Sequence, residues 1–171
     1  MRLSDTGGHR QILEGSVVFQ HLQPGDLDRV IASGLLVEVK ADEMVLSEQA
    51  RGPGLYVVLE GLVEVFLPEV SATGARRPAR LRLNTLGPGR CLGEYSLLDD
   101  HVTSAAARAT SAAKLFFLPR EEFRRITEGD PRAGMVIYRN LLRLLVGRLR
   151  AKDEDLDLFM FDPGDRAPGG E

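Results

Sequence analysis

Cysteine occurs once, at Cys91, in this chain of 171 residues. A single thiol rules out an intramolecular disulfide and a cysteine-only metal cage, and it suits a reducing compartment. Histidine is nearly as scarce. His9, His21 and His101 show no metal-ligand spacing of the HExxH kind. No GxSxG elbow, P-loop or cysteine–histidine signature is present either. The chain is therefore expected not to be an enzyme and to hold no metal.

Long apolar runs are missing too. The N-terminus, MRLSDTGGHRQILEGS, lacks the apolar core of a signal peptide, and no stretch approaches the ~20 apolar residues that span a bilayer. No membrane partner is expected, and the cytoplasm is the natural location. Excess positive charge is lacking as well: the formal net charge is −3, so nucleic-acid binding would need a local basic patch. Arg139, Arg143, Arg148 and Arg150 form the best candidate, but Asp153, Glu154, Asp155 and Asp157 follow at once, a pattern that reads as a solvated helix face.

What is present is an ordinary globular composition, 43% hydrophobic and 27% charged, in a length that suits one domain. Between Ile12 and Ala32 the apolar positions are irregularly helical, and Pro24 and Gly25 break the run into two short helices. From Leu35 to Leu118 the pattern becomes short runs of Val, Leu and Phe between glycine and proline: LLVEVK, MVLSE, LYVVLEGLVEVF, RLRLNTL, AAARAT and KLFFL. This predicts an antiparallel sandwich or small barrel. Alternation over Leu62–Phe66 suggests a strand with one wet face. Two longer interruptions occur, an exposed loop over Pro68–Arg80 and a connection over Gly87–Thr103 whose length points to a functional role.

Helical spacing returns after Pro119, with a short helix over Arg120–Thr127 and a long one from Pro131 to about Phe161. Along the long helix Met135, Tyr138, Leu142, Leu145, Leu149, Leu156 and Phe159 follow steps of three and four, broken only at Lys152. Ile137, Leu141 and Leu144 form a second, shorter line. One face is expected to rest on the sheets, and the other, the seam of Met135, Tyr138, Leu142, Leu145 and Leu149, to meet a second copy or a partner helix. Burial of both stripes within one monomer is the alternative. Residues 1–11 are expected to be an N-terminal tail, 12–161 the domain, and 162–171 a disordered tail.

Three phrases in this order, LYVVLEGLVEVF, LGPGRCLGEYSLLDD and KLFFLPREEF, resemble the cyclic-nucleotide-binding domain family, which includes catabolite-activator-like regulators and kinase regulatory subunits. The resemblance runs from about Phe19 to Leu149. It implies an α+β fold, an antiparallel double-stranded β-helix (β-roll or jelly roll) flanked by short N-terminal helices and a long C-terminal helix. Cupins share such a roll, but their enzymes need clustered metal-binding histidines. The resemblance makes Gly93, Glu94, Tyr95, Ser96, Thr103 and Ser104 the candidate ligand pocket, and cAMP or cGMP the possible ligand. Gly93 would open a loop presenting backbone N–H groups to a cyclic phosphate. Glu94 matches the glutamate that accepts a ribose hydroxyl, and Ser96 the small residue beside the phosphate. The family's phosphate-binding arginine, nine residues after that glutamate, is replaced by Thr103.

A threonine supplies no positive charge, and the loss is expected to weaken cyclic-nucleotide binding by about 2 to 4 kcal/mol. Arg108 lies five residues further along the next strand, where it would serve only if the loop shifted, and His101 would add charge only at mildly acid pH. The pocket is left to a cyclic nucleotide bound weakly, another ligand, or none. A transcription regulator of the same family would normally carry a helix-turn-helix after the long helix, where only Asp162–Glu171 stand, so no direct DNA binding is expected.

Overall fold

The structure, a computed structural model, describes residues 7–99 and 101–160, without the side chains of residues 7, 155 and 157–160. Two helices come first, α1 (Gly7–Gly15) and α2 (Pro24–Ser33). Four strands follow: β1 (Leu35–Val39), β2 (Met44–Leu46), β3 (Gly54–Glu60) and β4 (Val63–Leu67). Next come β5 (Leu81–Leu86), β6 (Cys91–Leu92), α3 (Glu94–Asp99), β7 (Ala106–Ala109) and β8 (Ala113–Pro119). The chain then enters α4 (Arg120–Gly129) and α5 (Pro131–Met160).

The strands form two four-stranded sheets, ordered β1-β8-β3-β6 and β2-β7-β4-β5, and every pair in them is antiparallel. This is the expected β-roll. The sheets face one another across Val39, Leu46, Val58, Val63, Leu86, Leu92, Ala107 and Leu115, which bring side chains from all eight strands' layers into one interior. The first sheet is covered on its other face as well. Leu55, Val57 and Leu59 of β3 and Phe116 and Leu118 of β8 join Phe19, Leu27, Phe123, Ile137 and Leu141 of the helical layer. A strand buried on both faces has no polar side to show, which explains the unbroken apolar run in LYVVL. Gly61 turns β3 into β4 at φ +79°, and a Cβ there would lie 2.4 Å from the Ala112 carbonyl oxygen.

Three local expectations change. Helix α1 begins at Gly7, so residues 7–11 are helix rather than tail; this first turn is held by polar contacts, His9 Nε2 lying 2.9 Å from Glu60 and Arg10 pairing with Glu14 and Asp28. Pro24 does not end a helix but opens α2, where its missing N–H costs nothing. The face of β4 bearing Glu64 and Phe66 is not wet: both are buried, Arg80 lies 3.9 Å over the Phe66 ring, and Arg80 and Arg108 pair with Glu64. The tail assigned to 162–171 lies outside the described residues.

Asp130 separates α4 from α5 and accepts the backbone N–H groups of Arg132 and Ala133 while pairing with Arg29 on α2. Those N–H groups and the guanidinium hold its carboxyl below the usual range. A lowered folded-state value means a contribution present above the ordinary carboxylate range and lost as pH falls through the lowered value. Asp130→Ala is therefore expected to melt at lower temperature than the wild type at pH 7, with the two melting curves converging under acid conditions. A constant difference across pH would contradict the ionic component of this cap.

Candidate functional site

Strand β6 ends at Gly93, whose φ of +87° turns the chain into α3 and whose missing side chain leaves room for the Gly54 carbonyl oxygen, 2.4 Å from where a Cβ would stand. Glu94, the next residue, is 1% exposed. Its Oε1 accepts from the guanidinium of Arg148 on α5, which also donates to the Cys91 carbonyl at 2.9 Å. Its Oε2 is buried with no hydrogen-bond partner among the described residues. Burial pushes the Glu94 carboxyl up, against the pull of Arg148, and pushes the Cys91 thiol up as well.

Ser96 is buried and its hydroxyl donates to the Gly93 carbonyl at 3.1 Å. Arg120, the first residue of α4, donates from Nη2 to the Ser96 carbonyl at 2.6 Å and from Nε to Gly52 at 3.1 Å, tying α3 to the loop before β3. Thr103 is buried too. Its hydroxyl donates to the Ser47 carbonyl and accepts the Ala50 N–H at 3.1 Å, so its one proton is committed to the 47–50 turn.

These residues line a cavity of about 350 Å³ between the second sheet and α5. Apolar walls come from Leu46, Val65, Leu86 and Leu92, a small-residue wall from Ser104, Ala105 and Ala107, and a lid from Arg148, Ala151 and Lys152. All six pocket residues expected from the sequence, Gly93, Glu94, Tyr95, Ser96, Thr103 and Ser104, line this one space. Neither candidate replacement cation does. Arg108 turns to the outer face, toward Asp42 and Glu64, and the exposed His101 ring lies against Asp99.

Two arginines escaped the sequence reading. Arg148 is no part of a solvated basic face, since it reaches the pocket and keeps only 26% of its side chain exposed. Its signal was in the spacing: Ile137, Leu141, Leu144 and Arg148 continue the inward line by steps of four, three and four. Arg120 stands in KLFFLPREEF with no periodic signal of its own, because its role is defined by loops distant in sequence.

The seam residues divide. Met135, Tyr138, Leu142 and Leu149 are exposed, together with Val146 and Leu156, and Leu145 is half-buried; the Tyr138 hydroxyl also lies 3.2 Å from that of Thr127 and its ring stands edge-on to Phe123. Leu145 and Leu149, with Tyr95 and Leu98 of α3, line a second cavity of about 320 Å³ on the other side of Arg148. Ile137 and Leu141 are fully buried against the helical layer, with Leu144 beside them.

Residues 36–130 match the family model described as "Cyclic nucleotide-binding domain". The chain belongs to this family. Within it, the cyclic AMP receptor protein of Thermus thermophilus is 31% identical over 150 residues, covering 88% of this chain and 65% of that protein. The cAMP-dependent protein kinase regulatory subunit of Mycosarcoma maydis is 30% identical, covering 68% of this chain and 23% of its own length. The crystal structure of the Thermus thermophilus catabolite activator protein superposes with a TM-score of 0.69 at 30% identity, over 85% of this chain and 63% of that one. The regulatory domain of Toxoplasma gondii PKA, crystallised with cAMP, does so with a TM-score of 0.63 at 27% identity, over 74% of this chain and 47% of that one. Thus the chain spans about two thirds or less of these relatives. Among the described residues no cluster of His, Cys, Asp and Glu is arranged to hold a metal ion, and no helix is long and apolar enough to cross a membrane.

Arg148→Ala leaves the Glu94 charge buried without its cation. Breaking a fully buried pair costs about 3–5 kcal/mol, and partial exposure of Arg148 reduces the expectation to about 2 kcal/mol. Without the arginine the Glu94 carboxyl, already raised in the wild type, moves further up, so the destabilisation relative to wild type is expected to grow as pH rises from the wild-type value toward the variant's higher one. Urea denaturation at pH 5 and pH 8 checks this, with Arg148→Met/Glu94→Gln expected to recover most of the loss.

Proposed function

We propose that this domain is a non-catalytic sensor that recognises a small hydroxyl-bearing ligand through Glu94 and passes occupancy to α5, with a phosphate site too weak for tight cyclic-nucleotide binding. The observation that carries the reading is Glu94, a residue lining the cavity whose buried Oε2 has no hydrogen-bond partner among the described residues. Leaving such an oxygen unpaired costs about 1–3 kcal/mol, and a ligand hydroxyl would remove that cost. The relatives bearing cAMP in their names support a ribosyl ligand. Thr103 weakens the case for a tightly held cyclic phosphate, because it is neutral and its hydroxyl is already committed to Ser47 and Ala50.

Signalling follows from where the helix sits. Glu94 accepts from Arg148 with one oxygen, so a ligand bound at the other would touch the residue that holds α5 to the roll. Helix α5 also carries Met135, Leu142, Val146, Leu149 and Leu156 exposed along one face. Their heptad spacing suits a second copy of this chain. A ligand that favours one position of α5 would then bias the contact between two copies.

Calorimetric titration of the wild type with cAMP and cGMP is expected to give dissociation constants near millimolar or worse, and Thr103→Arg to bind about 30- to 1000-fold more tightly at some cost in stability. Micromolar binding by the wild type would overturn the weak phosphate site.

The two-chain output has a separate check. Sedimentation equilibrium is expected to report a two-chain mass for the wild type and a single-chain mass for Leu142→Glu/Leu149→Glu. A wild-type monomer at high micromolar concentration would exclude the second copy as the partner of α5.

A further inference from the structure

The apolar stripe of α5 breaks at one place, Lys152, and the cavity gives that break a use. Lys152 stands one helical turn after Arg148, so both project from the same side of the helix. Both line the cavity, Ala151 between them is small, and both also border the second cavity, where Asp99 is the other charged lining residue. Among the described residues lining the first cavity the charged ones are Glu94, Arg148 and Lys152. Arg148 is paired with Glu94, which leaves one positive charge over for the space as a whole, and that charge stands on the helix. On the roll side the polar groups are spent or neutral: Thr103 is bonded to the 47–50 turn and Ser96 to Gly93.

We propose that Lys152 is the anion-recognising residue of this pocket, so that the ligand is a hydroxyl-bearing monoanion whose negative charge is read from α5 instead of from the roll. The inference rests on the reading of the cavity as a ligand pocket and adds to it the charge of the ligand and the residue that selects it. A hydroxyl donor meets Glu94 Oε2, and the single negative charge balances Lys152. A neutral analogue would keep the first contact and forgo the second. A dianion would bring a charge with no counterpart among the described lining residues. Because Lys152 stands on α5, the same contact would draw that helix toward the cavity.

The test uses the full chain and two soluble probes that share the ribose and differ in charge, adenosine and cAMP. Binding is followed by calorimetry and by ligand-observed saturation-transfer NMR up to tens of millimolar ligand, where both the weak wild-type affinity and a further tenfold loss are readable, for wild type, Lys152→Gln and Glu94→Gln. Lys152 is exposed and glutamine is a good helix former, so Lys152→Gln is expected to keep the wild-type melting temperature. It should weaken cAMP by about tenfold, equivalent to ~1.4 kcal/mol, and leave adenosine within about twofold. Raising the salt concentration should weaken cAMP in the wild type and have little effect in Lys152→Gln. Glu94→Gln should weaken both probes alike.

If cAMP and adenosine bind the wild type and Lys152→Gln affects both equally or neither, the role of Lys152 is overturned while the pocket stands. If neither probe binds the wild type, the ribosyl-ligand reading falls and the role of Lys152 with it. A loss confined to cAMP in Lys152→Gln, with both probes lost in Glu94→Gln, establishes the two contacts separately.

Discussion

Strands β3 and β8 are covered on both faces, and the rest of the molecule is arranged around that constraint. One face of their sheet looks into the roll, at Val58 and Leu115, and the other meets helices, at Leu55, Val57, Phe116 and Leu118. Helices α1, α2, α4 and the first turns of α5 are therefore not appendages to a finished sandwich. Without them the outer face of the first sheet would be a broad apolar surface. Among the described residues no helical layer covers the second sheet in this way, and its edge strand β5 is exposed along most of its length. The asymmetry fixes where a ligand can enter, since the helical layer closes one side of the roll and the later turns of α5 reach the other at the cavity.

Helix α5 thus belongs to two environments. Ile137 and Leu141 anchor its first half in the core, and Asn140, almost fully buried, donates to the carbonyls of Val18 and Gln20 and fixes the helix against the turn before α2. Beyond Leu144 apolar contact gives way to polar contact, with Arg148 reaching Glu94 and Cys91. A buried ion pair is a poor source of stability but a directional one. It sets α5 against α3 in one orientation while leaving that contact open to competition from a ligand, which a leucine in the same place would not do.

Much of this was legible in the sequence. The antiparallel strands and the two faces of α5 follow from period-two and period-3.6 patterns, and the roll and the pocket segment followed from resemblance. What escaped depends on tertiary partners. The first turn of α1, GGHRQ, has no apolar rhythm because its contacts are ionic. Glu64 looked like a solvent-facing residue because the arginines that cover it, Arg80 and Arg108, come from other strands. The Gly87–Thr103 connection was recognised as functional by its length, yet β6 and α3 inside it are too short to show a period. Arg148 was hidden by the acidic and basic residues around it, although its step from Leu144 marked it as inward.

The alanines of β7 bear on why the cavity exists at all. In the interior between the two sheets, positions 107 and 109 carry alanine where neighbouring strands carry Leu46, Val63, Leu86 and Leu115. Ala105 and Ala107 border the cavity directly. Protein interiors close-pack, and a larger aliphatic side chain at either position would fill space next to Leu46 and Val65. The open volume is therefore a property of side-chain size, while the fold itself comes from the patterns on β3, β4 and β8. Residue choice on one short strand, together with a single lysine breaking the stripe of α5, separates a filled roll from one with a charged, apolar-walled pocket. Both features are independent of Thr103, which lines the same cavity.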